Sequence, residues 1–179
     1  MPTTPEPLPS DPPLPQASPI ALRWRWCRFD ELSVQELNNI FMARQHVFSL
    51  EQQCVYLDAD GVDEHSQHLA AWSPGSRVPL AYARVVAPGL KYTEPSIGRV
   101  ITTELARGTG LGRELVRRAV AHCQQSHPGL GIRISAQSRL EAFYAGFGFA
   151  IVGERYLEDG IPHTEMVLAG GERQQGESV

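Results

Sequence analysis

The sequence predicts a mixed α/β domain, and three observations support this fold class. Short segments in which apolar and polar residues alternate, such as Leu22–Trp26, are typical of strands. Apolar residues at helical spacing over 111–125 predict a long amphipathic helix. Predicted strands at 96–102 and 132–136 flank that helix, and such a strand–helix–strand crossover makes the two strands parallel neighbours.

The first half of the chain is predicted to contain a strand, a helix and three further strands. After the strand at 22–26, Ser33 and Glu36 form a capping box, since each side chain can bond the other residue's backbone amide. Apolar residues from Leu37 to Phe48 then predict a helix of about four turns. An acidic loop over 58–65 follows. Segments 68–72 and 80–86 form a predicted hairpin around a Ser-Pro-Gly turn, and 96–102 is the next strand.

The second half is built around the long helix. Its predicted buried face consists of Leu111, Leu115, Val116, Ala119, Val120 and Cys123. A strand at 132–136 follows, and Ser138 and Glu141 form a second capping box that opens a short helix through Tyr144. Segments 149–152 and 165–168 are the last predicted strands. The predicted order is βαβββαβαββ.

Composition separates a domain from two tails. Of the 179 residues 42% are hydrophobic and 20% charged, which is typical of globular proteins. Eight of the 14 prolines fall in residues 1–19, where each removes an amide donor. We therefore expect a Pro-rich disordered tail at 1–19, one domain at 20–169 and a polar C-terminal tail at 170–179.

Charge and cysteine content exclude several classes of function. The net charge is −4 and no basic cluster stands out, so no nucleic-acid partner is expected. The chain has no basic start followed by an apolar run, so we expect no secretory signal and no membrane span. The three cysteines are far apart and form no CxxC pair, which argues against a zinc ribbon or a disulfide scaffold. These features predict a cytoplasmic protein.

A glycine-rich loop opens the long helix. The segment Arg107–Arg113 carries glycines at 108, 110 and 112, which leave several amides without side-chain shielding. Together with the positive end of the helix dipole, these amides would bind a phosphate or pyrophosphate. The loop is neither a Walker A motif nor GxGxxG, because position 113 is arginine and position 115 is leucine. A glycine turn with no ligand is the alternative interpretation.

The loop and the segment after it resemble the GNAT acetyltransferases. Arg107-x-x-Gly110-x-Gly112 lies between a strand and an amphipathic helix, as in that family's acetyl-CoA pyrophosphate loop. About 60 residues match in order, ending in a tyrosine at 144 and the Gly-Phe pair at 148–149 after a second strand. The resemblance implies a mostly antiparallel sheet with a splayed parallel strand pair and flanking helices.

Further motifs are similar to the ElaA-like branch of that superfamily and extend from about residue 32 to 168. They are Arg44-x-x-Val47-Phe48, Glu51-Gln52-x-Cys54-x-Tyr56, Ala81-Tyr82-Ala83-Arg84, Ile97-Gly98-Arg99-Val100 and Glu158-Asp159-Gly160-Ile161-Pro162-His163.

The resemblance implies an N-acetyltransferase that uses acetyl-CoA as co-substrate, with no metal. A primary amine of a small molecule or protein would attack the thioester in a ternary complex. Implied cofactor contacts are the strand residues Val100, Ile101 and Thr102, the loop residues Arg107, Gly108, Thr109, Gly110, Leu111, Gly112 and Arg113, and Gln137. The oligomeric state does not follow from the resemblance.

Tyr144 matches the family's general acid, which protonates the departing thiolate. Its ordinary pKa of about 10 keeps a tyrosine protonated at neutral pH, as a proton donor must be. The alternative is a core aromatic beside Phe143 and Phe147. Candidates for the base are Glu51, the acidic loop and His163, and a histidine after Pro162 is also typical of a turn.

The acidic loop suggests a metal site that its spacing does not support. An EF-hand loop needs glycine at position six and glutamate at position twelve, whereas here glycine is fourth and Leu69 is twelfth. We expect a solvated or substrate-facing loop instead. Cys54 lacks the local signature of a thiol nucleophile. The functional alternatives are a non-catalytic acyl-CoA-binding module and a metal-dependent hydrolase that uses the acidic loop.

Overall fold

A computed structural model describes residues 21–171, so the predicted N-terminal tail and residues 172–179 lie outside the described residues. Within 21–171 there are eight strands and three α-helices. In chain order they are β1 (Arg23–Arg28), α1 (Val34–Gln45), β2 (Ser66–Trp72), β3 (Ala81–Val86), β4 (Ser96–Thr102), α2 (Leu111–Ser126), β5 (Ile132–Gln137), α3 (Glu141–Ala145), β6 (Ala150–Ile151), β7 (Tyr156–Glu158) and β8 (Ile161–Leu168). None of these helices is long and apolar enough to cross a bilayer.

All eight strands form one sheet. Its order is β1-β2-β3-β4-β5-β8-β6, and β7 pairs with the other end of β8. Every neighbouring pair is antiparallel except β4 and β5, which are parallel. The predicted mixed α/β class and the parallel pair around the crossover helix are confirmed.

The sheet separates two apolar clusters, one on each face. Side chains of successive strand residues point to opposite faces, so Leu69 packs with the α2 cluster and Ala70 with the α1 cluster. The predicted buried face of α2 is confirmed: Leu111, Leu115, Val116, Ala119 and Cys123 are buried and Val120 is partly buried. The two helices therefore cover both faces of β2–β4.

The first capping box is present. Ser33 Oγ accepts from the Glu36 amide at 3.2 Å, and the Glu36 carboxylate accepts from the Ser33 amide at 3.1 Å. Helix α1 ends at Gln45 and continues as one wider turn over His46–Glu51, so the predicted helix of four regular turns is wrong at its end. The wider turn lets both Val47 and Phe48 pack into the core.

The second capping box is absent. Ser138 Oγ bonds Thr164 Oγ1 at 2.8 Å, and the Glu141 carboxylate accepts from Thr164 Oγ1 at 2.6 Å and from Arg155 at 2.8 Å. Thr164 lies on β8, so partners brought by the tertiary fold replace the local pair. The short helix still forms over 141–145.

The last strands also differ from their prediction. The strand expected at 149–152 covers only Ala150–Ile151, β8 begins at Ile161 rather than at 165, and β7 was not predicted. Asp159 and Gly160 have φ of +51° and +78° and form the two-residue turn between β7 and β8. Asp-Gly is a typical signal for such a hairpin. The signal was present in the sequence, beside a proline that usually argues against a strand.

Candidate active site

The sheet opens between β4 and β5. These strands pair only near Ser96 and Arg133, so the rest of the β4 edge that faces β5 has no strand partner in the described part of the chain. On its other edge β4 contains a bulge, where the register against β3 shifts and Arg99 takes a φ of +51°. A bulge bends its strand, and β4 and β5 diverge after their first residues.

Two cavities meet at this opening. The first, here named the hairpin cavity, lies between segment 52–56, strands β3 and β4, the end of β5 and the β7–β8 turn. The second, here named the loop cavity, lies between the end of β4, Glu51, Arg107, Gly112 and helix α3. Both cavities are lined by Gln52, Val100, Leu140 and Tyr144. These four residues therefore mark the passage from one cavity to the other.

The glycine loop presents unshielded amides at the start of α2. Gly108 and Gly110 have φ of +75° and +84°, a region that residues with a side chain rarely adopt. The amides of Gly108, Gly110 and Gly112 make no hydrogen bond within residues 21–171. They lie at the positive end of the dipole of a 16-residue helix, an arrangement that binds phosphate groups.

Arg107 connects this loop to two other elements. Its Nη2 donates to the carbonyl of Thr102 at 3.1 Å and also pairs with the carboxylate of Glu51. The second oxygen of Glu51 lies 3.3 Å from His46 Nε2. The glycine loop, the end of β4 and the wide turn after α1 are thereby held in one arrangement around the loop cavity.

The other residues predicted to contact the cofactor differ in whether their side chains face the loop cavity or pack in the core. Val100, Ile101 and Thr102 all line the loop cavity, but the side chain of Ile101 packs in the α1 cluster and the residue is only 2% exposed. Leu111 is buried in the α2 cluster, and Thr109 Oγ1 donates to the Ala106 carbonyl at 2.7 Å. Ile101 and Leu111 are thus available to a ligand through their backbones alone.

Arg113 packs over aromatic residues in α3 and just after it. Its guanidinium lies 5.9 Å from the ring centre of Phe143 and 5.3 Å from that of Phe147, close enough for cation–π attraction. Arg113 therefore connects α2 to the helix that carries Tyr144.

Tyr144 is both a core residue and a cavity residue. It is 6% exposed, and its ring meets those of Phe143 and Phe149 edge to face at 5.1 and 6.0 Å. Burial raises the pKa of its hydroxyl to about 12, with no contribution from a charged group or a hydrogen bond. The hydroxyl is therefore protonated at neutral pH, and Tyr144 lines both cavities.

Gln137 ends β5 on the wall of the hairpin cavity. Its Nε2 donates to Gln52 Oε1 at 2.9 Å, and its Oε1 accepts from Arg139 at 2.9 Å. The bond to Gln52 spans the opening between the two sides of the sheet. Gln137 thus faces the hairpin cavity, whereas the glycine loop faces the loop cavity.

Comparisons with known proteins identify the family. The model of the acetyltransferase (GNAT) domain family matches residues 44–169. A UPF0039 protein of Synechocystis is 42% identical over 149 residues, which covers 83% of this chain and 96% of that protein. Protein ElaA of Escherichia coli is 37% identical over 147 residues, covering 81% and 95%. The chain belongs to the ElaA-like branch of the GNAT acetyltransferase family.

A solved structure agrees with this assignment. The crystal structure of an acyl-CoA N-acyltransferase from Pseudomonas aeruginosa is 37% identical, superimposes with a TM-score of 0.78, and covers 83% of this chain and 100% of that one. The fold predicted from the resemblance is therefore confirmed, and the chain is a GNAT-type acyltransferase.

Two of the three candidate bases, Glu51 and His163, lie in different cavities of this GNAT domain. Glu51 lines the loop cavity and is paired with Arg107. His163 lies in strand β8 rather than in a turn, and it lines the hairpin cavity. Its Nδ1 lies 2.9 Å from the carbonyl of Ile161. Since a carbonyl only accepts, Nδ1 carries the proton and Nε2 of the neutral ring keeps a free lone pair.

The acidic loop of the GNAT domain was expected to be solvated or to face the substrate, and three of its aspartates are instead paired with arginines. Asp63 is 4% exposed and bonds Arg44 at 2.7 Å, while Asp60 forms a two-bond pair with Arg84. Within residues 21–171 no three His, Cys, Asp or Glu residues are grouped to hold a metal ion. Cys54 is buried, and burial raises the pKa of its thiol, which disfavours a nucleophilic thiolate.

Sequence reasoning did not assign a role to two residues of the hairpin cavity. Gln52 connects to Gln137, and Tyr56 lies over the guanidinium of Arg99 at 5.1 Å. Both belong to the motif Glu51-Gln52-x-Cys54-x-Tyr56 used for the family resemblance. The motif pointed to the segment, but its position against β4 and β5 comes from the tertiary structure.

Proposed function

We propose that this protein is an N-acetyltransferase that moves the acetyl group of acetyl-CoA to a primary amine by direct attack in a ternary complex. One juxtaposition supports this proposal most strongly. An anion site, an unpaired strand edge and a buried tyrosine hydroxyl follow one another around two connected cavities. A donor with a pyrophosphate, an extended amide-bearing arm and a thioester needs this sequence of groups.

The geometry of the loop cavity supports the following mode of donor binding. The pyrophosphate would accept hydrogen bonds from the free amides of Gly108, Gly110 and Gly112, with Arg107 holding the loop. The pantetheine arm bonds the backbone of Val100–Thr102 as an added strand would. The thioester then lies beside Tyr144, where the cavities join, with Gln137 on the far side. The related acyl-CoA N-acyltransferase of Pseudomonas aeruginosa supports an acyl-CoA donor.

The acceptor occupies the hairpin cavity. Its neutral nitrogen attacks the thioester carbonyl carbon, and the new C–N bond forms as the C–S bond breaks. Tyr144 Oη gives its proton to the departing sulfur, and the amine gives a proton to a base. A lysine-like amine has a pKa of about 10.4, so a base that accepts its proton raises the fraction able to attack.

We assign the base role to His163 in preference to Glu51. His163 lines the acceptor's cavity, and the contact of its Nδ1 with the Ile161 carbonyl leaves Nε2 to accept a proton, whereas Glu51 faces the donor's cavity and is paired with Arg107. Both groups remain testable by separate variants. The three free, buried cysteines also suit a cytoplasmic location.

Donor binding is tested by calorimetry with acetyl-CoA. Gly112 has a helical backbone, and a Cβ there lies 3.4 Å from Thr102 Cγ2, an ordinary contact. Gly112→Ala and Gly112→Leu therefore add increasing bulk to the loop cavity without backbone strain. We expect the leucine variant to weaken binding about tenfold or more, a loss of about 1.4 kcal/mol or more. Its melting temperature should not fall, since leucine favours a helix over glycine.

Turnover is measured as CoA thiol release with a panel of amines, together with the mass of the product. Release with at least one amine and a product heavier by one acetyl group support the enzyme. Donor binding without release for any amine would instead support the non-catalytic acyl-CoA-binding module. Unchanged binding in Gly112→Leu would place the donor elsewhere.

A further inference from the structure

Three arginines and three aspartates form one ion-pair network beneath the hairpin cavity. The arginines come from three different elements, namely α1, β3 and β4, and the aspartates all come from loop 58–63. The network consists of Arg44, Arg84, Arg99, Asp58, Asp60 and Asp63. Its charges balance, which lets them remain inside the protein.

Two of the arginines are held below the loop. Arg44 is fully buried and reaches Asp58 Oδ2 at 2.9 Å, the Asp58 carbonyl at 2.8 Å and Asp63 Oδ1 at 2.7 Å. Arg84 is 3% exposed and binds both oxygens of Asp60 at 2.7 Å. These contacts fix the loop to α1 and β3, and each of the three carboxylates contacts two of the three arginines.

Arg99 connects the same loop to the β4 bulge. Its Nη2 donates to Asp60 Oδ2 at 3.0 Å and to the Asp58 carbonyl at 3.2 Å. Its Nε lies 2.7 Å from Asp58 Oδ1 without hydrogen-bond alignment, so that contact is ionic. Tyr56 covers the guanidinium at 5.1 Å. The backbone of Arg99 has the left-handed φ of the bulge, which a side chain disfavours.

The position of Arg99 connects it to both substrates. The next residue, Val100, lines both cavities and begins the strand segment assigned to the donor's arm. On the other side of the guanidinium, segment 52–56 supplies the acceptor's wall through Gln52, Cys54 and Tyr56. The side chain of Arg99 therefore connects the strand assigned to the donor with the wall of the acceptor's cavity.

We propose that Arg99 is a positioning residue, whose ion pairs with loop 58–60 set the distance between the β4 bulge and the acceptor's wall. This inference rests on the proposed function. Loss of the guanidinium should leave the glycine loop and Tyr144 intact but misplace the amine relative to the thioester. A misplacement of about 1 Å can lower the rate about 10²-fold.

The central variant is Arg99→Gly, because glycine accepts the observed φ and removes only the side chain. We expect its kcat/KM for an amine that the wild type accepts to fall about 10²-fold. The affinity for acetyl-CoA, measured by calorimetry, should change far less, because the pyrophosphate amides remain. Added guanidinium at millimolar concentration should restore part of the activity of Arg99→Gly, and it should restore none in Tyr144→Phe, the matched control.

Two further variants keep the test decisive if Arg99→Gly does not fold. Asp58→Asn keeps the shape of the partner while weakening its ion pair with Arg99. Arg99→Lys keeps the positive charge but removes the several donors of the guanidinium. Both variants should lower kcat/KM while still binding acetyl-CoA. Wild-type kcat/KM in the folded variants, or a loss in Arg99→Gly that guanidinium leaves unchanged, would overturn the inference. Failure of the proposed function has a different signature, since the wild type would then release no CoA with any amine.

Discussion

Replacement of Tyr144 by phenylalanine separates catalysis from packing. The ring remains between Phe143 and Phe149, so the aromatic contacts at 5.1 and 6.0 Å are kept. Only the hydroxyl is removed, and in this structure burial alone determines its pKa of about 12. The hydroxyl has no hydrogen-bond partner within residues 21–171 and is not among the fully buried unpaired atoms, so its removal breaks no hydrogen bond of the fold. Tyr144→Phe should therefore unfold at the same or a higher denaturant concentration than the wild type.

Turnover should change in the opposite direction. If the hydroxyl protonates the departing thiolate, kcat should fall by about 10²–10⁴, the usual contribution of a positioned acid. A thiolate is a tolerable leaving group, since a cysteine-like thiol has a pKa of about 8.5, so the lower end of that range is expected. Because the pKa of Tyr144 is about 12, deprotonation of this acid should not limit the wild-type rate below about pH 10.

The assay combines three measurements on each protein: CoA thiol release with an accepted amine, a calorimetric isotherm for acetyl-CoA, and a urea unfolding curve. The expected pattern is lost turnover, nearly unchanged donor affinity and unchanged or increased stability. Equal turnover in the two proteins would remove Tyr144 from the mechanism. A parallel loss of stability and turnover would refute the argument that the hydroxyl has no structural partner.

Three other variants test separate parts of the structure. Leu115 is fully buried, so Leu115→Ala should cost about 2–5 kcal/mol in urea unfolding, whereas Leu105→Ala at a 78% exposed position should change stability by less than about 0.5 kcal/mol. His163→Ala should lower kcat with acetyl-CoA affinity unchanged, whereas Glu51→Gln should weaken acetyl-CoA binding through Arg107; the reverse pattern would exchange their roles. The ion pair with Arg84 holds the pKa of Asp60 well below its ordinary value of about 3.9. The ionised Asp60 carboxylate therefore stabilises the folded protein above about pH 4, and this stabilisation is lost as the pH falls. The stability difference between wild type and Asp60→Asn should therefore shrink from about pH 6 to about pH 2, and a pH-independent difference would contradict it.

Interactions within one turn or one strand were predictable from the sequence. The buried face of α2 follows from 3.6-residue periodicity, and the glycine loop follows from glycines at positions that need a positive φ or bare amides. The Ser33–Glu36 capping box formed because both partners lie in the same turn, and Arg25 pairs with the other carboxylate oxygen of Glu36. The position of Tyr144 was predicted from the motif of a tyrosine followed by a Gly-Phe pair, and the family resemblance gave that tyrosine its role.

Contacts between distant segments were decided by the tertiary structure. The Glu141 carboxylate bonds Thr164 from β8 instead of the amide of Ser138. Glu51 and Arg107 are 56 residues apart, and Gln52 and Gln137 are 85 apart. A charged or polar side chain has many sequence partners of the right chemistry, and only the folded chain determines which of them is within hydrogen-bond distance. For the same reason the acidic loop, for which the sequence predicted a solvated or substrate-facing surface, became part of an ion-pair network once α1, β3 and β4 brought three arginines beneath it.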